Sequence, residues 1–148
     1  MSALLRGRSM NTRLLMLAIT VMGGSLFFSN PAAGQFTPAA KKAGRVQITN
    51  GPEIESSINS LTIIRWTSNN PGGSPEHFGV VHYGTDPKNL VQTAKSHIRL
   101  NQTHSYTVFR VRVDGLAPKT TYYYKVDSAD ANGASDGVVS PIKTFTTP

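Results

Sequence analysis

The sequence predicts an all-β protein, a seven-stranded β-sandwich, and three observations predict it. Short runs rich in Val, Ile, Thr, Tyr and Phe recur from Arg45 to the C-terminus between clusters of Gly, Pro, Asn and Asp. Several of these runs alternate apolar and polar residues, the period of a strand with one buried face. No segment beyond residue 34 sustains the 3.6-residue apolar period of a helix.

The predicted strands are Arg45–Thr49, Leu61–Thr67, Phe78–Tyr83, Leu90–Thr93, Tyr106–Val113, Thr121–Asp127 and Val139–Thr146. Turn formers separate them: Asn50-Gly51-Pro52, Asn69 to Gly73, Gly84-Thr85-Asp86-Pro87, Asp114-Gly115, and Asn132-Gly133 through Asp136-Gly137. Proline presets φ and glycine permits φ > 0, which is why strands stop there. Parity assigns the faces. Ile64 and Trp66 point together, opposite Leu61, Ile63 and Arg65. Phe109, Val111 and Val113 share a face in the fifth run, as do Tyr122, Tyr124 and Val126 in the sixth. The single tryptophan therefore reads as a core anchor.

Residues 1–34 read as a signal peptide. Arg6, Arg8 and Arg13 precede an apolar run from Leu14 to Phe28, and Asn30-Pro31 and the small residues Ala32, Ala33 and Gly34 follow. Cleavage is expected between Gly34 and Gln35. The run is shorter than the roughly 20 apolar residues of a spanning helix, so no membrane span is expected after cleavage. Residues 35–44, QFTPAAKKAG, read as a flexible linker, and residues 45–148 as one domain. Three of the 15 Lys and Arg residues lie in the leader, so the exported part carries 12 basic against 8 acidic residues, a balance of +4. That mild charge on an exported chain does not point to a nucleic-acid partner. There is no cysteine, so stability rests on packing and no thiolate metal site exists. The expected location is secreted, or the periplasm or cell envelope.

Two stretches resemble fibronectin type III domains, which implies an immunoglobulin-like sandwich. Leu116-Ala117-Pro118-Lys119-Thr120-Thr121-Tyr122 is similar to that family's turn into its sixth strand, with Tyr122 as the tyrosine corner. Trp66 in Ile63-Ile64-Arg65-Trp66 is similar to its second-strand tryptophan. Trp66, Leu116, Pro118 and Tyr122 are thus the expected structural markers. A narrower resemblance is to the N-terminal domain of purple acid phosphatases. It rests on Val81-His82-Tyr83-Gly84, on His104-Ser105-Tyr106 followed by Leu116 to Tyr124, and on Phe145-Thr146-Thr147-Pro148. It covers residues 45–148. In those enzymes the metallophosphatase domain follows such an exit strand and carries Gly-Asp-x-Gly, Gly-Asp-x-x-Tyr, Gly-Asn-His and Gly-His-x-His. This sequence has no Gly-Asp, no Asn-His and no His-x-His. The resemblance therefore implies no catalytic residue, no metal ligand and no cofactor here, although a phosphatase label could be inherited through the family.

Other constellations read as structure. His77, His82, His97 and His104 form no i+2 or i+4 pair, the spacing of a local metal clip. Asp127, Asp130, Asn132 and Asp136 lack the spacing of an EF-hand and read as the loop between the last two strands. The serines sit in no Gly-x-Ser-x-Gly elbow. Parity does assemble one surface. With Phe109, Val111 and Val113 inward, Tyr106, Val108, Arg110 and Arg112 face outward beside Leu61, Ile63 and Arg65, and Arg45 joins them if Val46 and Ile48 point in. The expectation is a basic docking face without acidic residues, for a protein or an anionic envelope polymer. Three functions remain open: a noncatalytic docking module, an accessory or truncated part of a purple acid phosphatase system, and a glycan-binding domain.

Overall fold

The computed structural model describes residues 41–148. The leader, its cleavage and most of the linker lie outside the described residues. The strands are β1 (Ile48–Ile58), β2 (Leu61–Asn69), β3 (Glu76–Gly84), β4 (Gln92–Arg99), β5 (Tyr106–Val113), β6 (Thr121–Asp130), β7 (Ser135–Val139) and β8 (Lys143–Thr146). They form two antiparallel sheets, one ordered β1-β2-β5 and the other β4-β3-β6-β7, with β8 also paired to β6. Among the described residues there is no helix, so the all-β expectation is met.

The largest departures from the sequence reading fall in the first, fourth and last strands. The first strand does not stop at Asn50-Gly51-Pro52 but runs through it to Ile58, with register shifts on either side. Gly51 sits at φ 82°, and its position is tight, since a Cβ there would lie 2.9 Å from the Arg65 carbonyl oxygen. β1 is an edge strand, where a proline that cannot donate to a ladder is tolerated. The fourth strand lies later, at Gln92–Arg99 rather than Leu90–Thr93. Its inward residues Ala94, Ser96 and Ile98 are too small and mixed to stand out as an apolar alternation. The last run is two strands, so the described residues hold eight strands rather than seven. Ser140-Pro141 interrupts it: proline has no N–H to donate, and the Ser140 side chain instead accepts from the Val126 N–H at 2.9 Å.

The core lies between the sheets. Trp66 and Phe109, opposite each other on β2 and β5, stack at 5.1 Å with planes 15° apart. Ile64, Val81, Val111, Val113, Tyr124 and Val126 are buried around them. Gly79 on β3 gives the indole room, since a Cβ there would lie 3.0 Å from Trp66 Cη2. The tyrosine corner is formed: the Ala117 N–H donates to the Tyr122 hydroxyl at 3.0 Å. Leu116 is buried, and its N–H donates to Ser60 O at 3.1 Å. Pro118 stays exposed and its carbonyl accepts from the Thr120 hydroxyl at 2.9 Å. The exit strand stitches this corner shut, with the Thr147 hydroxyl donating to Ala117 O at 2.6 Å.

Candidate docking surface

The outer face of the β1-β2-β5 sheet is built by parity and register. Antiparallel pairing sets Ile63 opposite Arg112, Arg65 opposite Arg110, and Thr67 opposite Val108. Leu61, Ile63, Arg65 and Val108 are half-buried there, while Tyr106, Arg110 and Arg112 are exposed. Tyr106 also stacks on His104, with ring centroids 5.6 Å apart. The aliphatic residues bracket a central charged band, with Leu61 and Ile63 toward one end and Val108 and Tyr106 toward the other.

The expectation of a face without acids is overturned. Because β1 continues past Pro52, it carries Glu53 and Glu55 alongside the arginines. Arg65 contacts Glu53 at 2.9 Å and approaches Glu55 at 3.9 Å. Arg110 donates through Nε to both Glu55 oxygens at 2.9 Å, and Arg112 through Nε to both Asp114 oxygens at 2.8 Å. Each of these three arginines thus has a carboxylate, and the band is balanced rather than basic. Such exposed pairs contribute only about 0.2–1 kcal/mol each, so they set surface character more than stability. Arg45 stands apart. It lies upstream of β1, its carbonyl accepts from Asn69 Nδ2 at 2.8 Å, and it lines a groove beside β7.

Sequence reasoning missed one buried polar cluster. His77 and Asp136 have side chains 1% and 0% exposed, with His77 Nε2 3.3 Å from Asp136 Oδ1. Ser128 donates to the other Asp136 oxygen at 2.7 Å. His77 continues the inward parity of Gly79 and Val81, which a strand starting at Phe78 leaves out. The neighbouring acids are spent locally. Asp127 accepts from the Ser135 hydroxyl, and Asp130 from the Asn132 and Ala134 N–H groups. Burial raises the Asp127 carboxyl above its ordinary range, and Asp136 adds to this, against hydrogen bonds from Ser135 and Ser128 and the attraction of His82. No group of three or more His, Cys, Asp or Glu residues among the described residues is placed to hold a metal ion. On the outer face of β3, burial lowers the pKa of His82, with Lys125 and Lys95 adding to the effect and Asp127 opposing it. In the core, burial and then Glu53 push the Tyr124 hydroxyl up to about 12.

The paired sheets, the buried Trp66 and the tyrosine corner define an immunoglobulin-like β-sandwich of the fibronectin type III kind. Residues 37–147 match the purple acid phosphatase N-terminal domain, and the chain belongs to that family. Nothing among the curated proteins matches the chain. Among solved structures it is similar to the sensor domain of the anti-sigma factor RsgI4 of Pseudobacteroides cellulosolvens, at 19% identity and TM-score 0.47, covering 69% of this chain and 88% of that one. It is also similar to OgpA of Akkermansia muciniphila, at 16% identity and TM-score 0.37, covering 73% of this chain and 30% of that one.

Proposed function

We propose that this chain is a noncatalytic, exported module that docks on a partner protein through the outer face of its β1-β2-β5 sheet. The observation that carries the reading is the composition of that face, in which arginines, an exposed tyrosine and aliphatic side chains lie together on one side of a sheet. Arginine and tyrosine are enriched in protein interfaces. The carboxylates beside Arg65, Arg110 and Arg112 turn the preference from an anionic envelope polymer toward a protein, because a balanced surface reads complementary charge in both signs. A second reading rests on the family match: the module serves as an accessory part of a purple acid phosphatase system. Catalysis then belongs elsewhere. The purified chain is expected not to hydrolyse a generic phosphomonoester when iron, manganese or zinc is supplied, and turnover that survives purification to homogeneity refutes the noncatalytic reading.

The docking test is retention on the native envelope fraction. Arg110→Glu with Arg112→Glu places new carboxylates beside Glu55 and Asp114, so it reverses the local charge while leaving the core untouched. Retention is expected to fall for the double variant and, for the unaltered chain, to weaken with salt. Protease treatment of the envelope is expected to abolish it. Equal retention of variant and unaltered chain at low salt refutes the docking face, and retention that survives protease assigns the partner to a polymer.

A further inference from the structure

The sandwich has one basic end. Hydrogen bonds gather the entry segment 41–45, the β2–β3 loop and the β4–β5 loop there. The Ala43 N–H donates to Pro71 O at 2.7 Å, and Asn69 Nδ2 donates to Arg45 O at 2.8 Å. Asn70 Nδ2 donates to Asn101 O and to His104 O, both at 2.9 Å. The β6–β7 turn joins them, since Asp130 lies opposite His77 at the start of β3. These segments carry four exposed cations, Lys41, Lys42, Arg45 and Arg99, against two acids. Both acids are engaged. Glu76 contacts His97 and lies 3.9 Å from Arg99, and Asp130 Oδ1 accepts from the Asn132 and Ala134 N–H groups. Lys41, Lys42 and Arg45 form no ion pair with a described residue.

The opposite end is balanced. Its loops, 85–91 and 114–120, set Lys88 and Lys119 against Asp86 and Asp114. Two further features single out the basic end. Tyr106 stands at its rim, 52% exposed and stacked on His104, and a ring with an apolar body and a polar tip suits a membrane–water interface. The chain also enters the sandwich here. Residues 29–40 alone separate Lys41 from the apolar run that ends at Phe28. Fully extended they span at most about 43 Å, which keeps this end within that reach of a membrane engaged by the run during export.

We infer that this end of the sandwich rests on a lipid surface bearing anionic headgroups, with Lys41, Lys42, Arg45 and Arg99 at the headgroups and the Tyr106 ring at their edge. A flat anionic surface can meet all four cations at once, because they come from two chain segments held side by side. Standing on this end, the sandwich keeps its β1-β2-β5 face free for a protein partner, with Tyr106 at the corner the two surfaces share. The inference does not depend on that docking face.

The probe is vesicles of phosphatidylcholine, alone or mixed with phosphatidylglycerol, sedimented with the purified chain. Tighter binding to the mixed vesicles is expected, weakening as salt screens the charges. Neutral vesicles give the baseline for the apolar run, and comparison among variants cancels the arginines of the leader. Each Lys or Arg near an anionic surface is worth about fivefold in affinity, the equivalent of about 1 kcal/mol. Lys41→Gln with Lys42→Gln is therefore expected to weaken binding roughly 25-fold, and Arg99→Gln about fivefold. Lys88→Gln, at the opposite end, is expected to leave it unchanged. All four side chains are exposed, so the core is untouched. Equal binding to neutral and mixed vesicles overturns the inference. An unchanged affinity for Arg99→Gln also overturns it, because only the entry segment then meets the lipid. A loss for Lys88→Gln equal to that for Arg99→Gln does the same, by reducing the effect to net charge. Equal affinity per charge for bead-bound polygalacturonate and for mixed vesicles assigns the end to an anionic polymer, and that too overturns it.

Discussion

Gly79→Ala tests the packing of the core where β3 passes against Trp66, Phe109 and Val111. A Cβ at this position would lie 2.8 Å from Val111 Cγ2, 3.0 Å from Trp66 Cη2 and 3.2 Å from Phe109 Cδ1. All three side chains are fully buried, so none can swing into solvent to make room. Overpacking of this kind costs about 1–3 kcal/mol. Replacing glycine also restricts the unfolded chain, which returns about 0.4–1 kcal/mol. The net expectation is a loss of about 1–2 kcal/mol. With a urea dependence of about 1–3 kcal/mol per molar for small proteins, the midpoint falls by roughly 1 M. Trp66, the sole tryptophan, reports the transition by its fluorescence. A second variant sharpens the test. In a Val111→Ala background the nearest obstructing methyl is gone, so the added cost of Gly79→Ala is expected to shrink. An unchanged or raised midpoint refutes the packing argument, and so does an equal cost in both backgrounds.

Trp66→Ala is expected to cost roughly 3–5 kcal/mol as a large core truncation, and an unchanged denaturation midpoint, followed by circular dichroism, refutes its anchoring role. Tyr122→Phe removes the acceptor of the Ala117 N–H and is expected to cost about 1 kcal/mol in the same measurement. Tyr124 gives a pH signature. Its folded pKa, pushed up to about 12, lies above the ordinary value of 10, so its stabilising contribution is complete below pH 10. That contribution is lost as pH rises from 10 through 12, where the unfolded chain ionises more readily. Tyr124→Phe is expected to lose stability less steeply over that window, and identical slopes in alkaline denaturation series refute the assignment.

Where alternation is strong, the sequence was enough to place side chains. Ile64 and Trp66, then Phe109, Val111 and Val113, then Tyr122, Tyr124 and Val126 all enter the core as parity requires. The tyrosine corner was legible too, because it is a local motif whose donor lies five residues from its acceptor. Elsewhere local signals misled. Gly51-Pro52 carries the chemistry of a turn, yet on an edge strand a proline costs no ladder bond and β1 runs on. β4 is hard to read because its inward residues Ala94, Ser96 and Ile98 include only one large apolar side chain, so no apolar alternation stands out.

The sequence by itself determined which residues form strands over most of the chain, which face each presents, and the family to which the fold belongs. It also placed Arg65, Arg110 and Arg112 on one outer face. Arg112 meets Asp114, two residues along the same stretch of chain, but only the tertiary structure decided what Arg65 and Arg110 meet. Arg110 and Glu55 are 55 residues apart and come together through the pairing of β1, β2 and β5. The same holds for the groove between the start of β1 and β7 and for the buried contact of His77 with Asp136, 59 residues away. The physical reason is that alternation is a property of one strand and is written in consecutive residues. Charge balance and grooves belong to the relation between strands, which is set by pairing order, register and bulges.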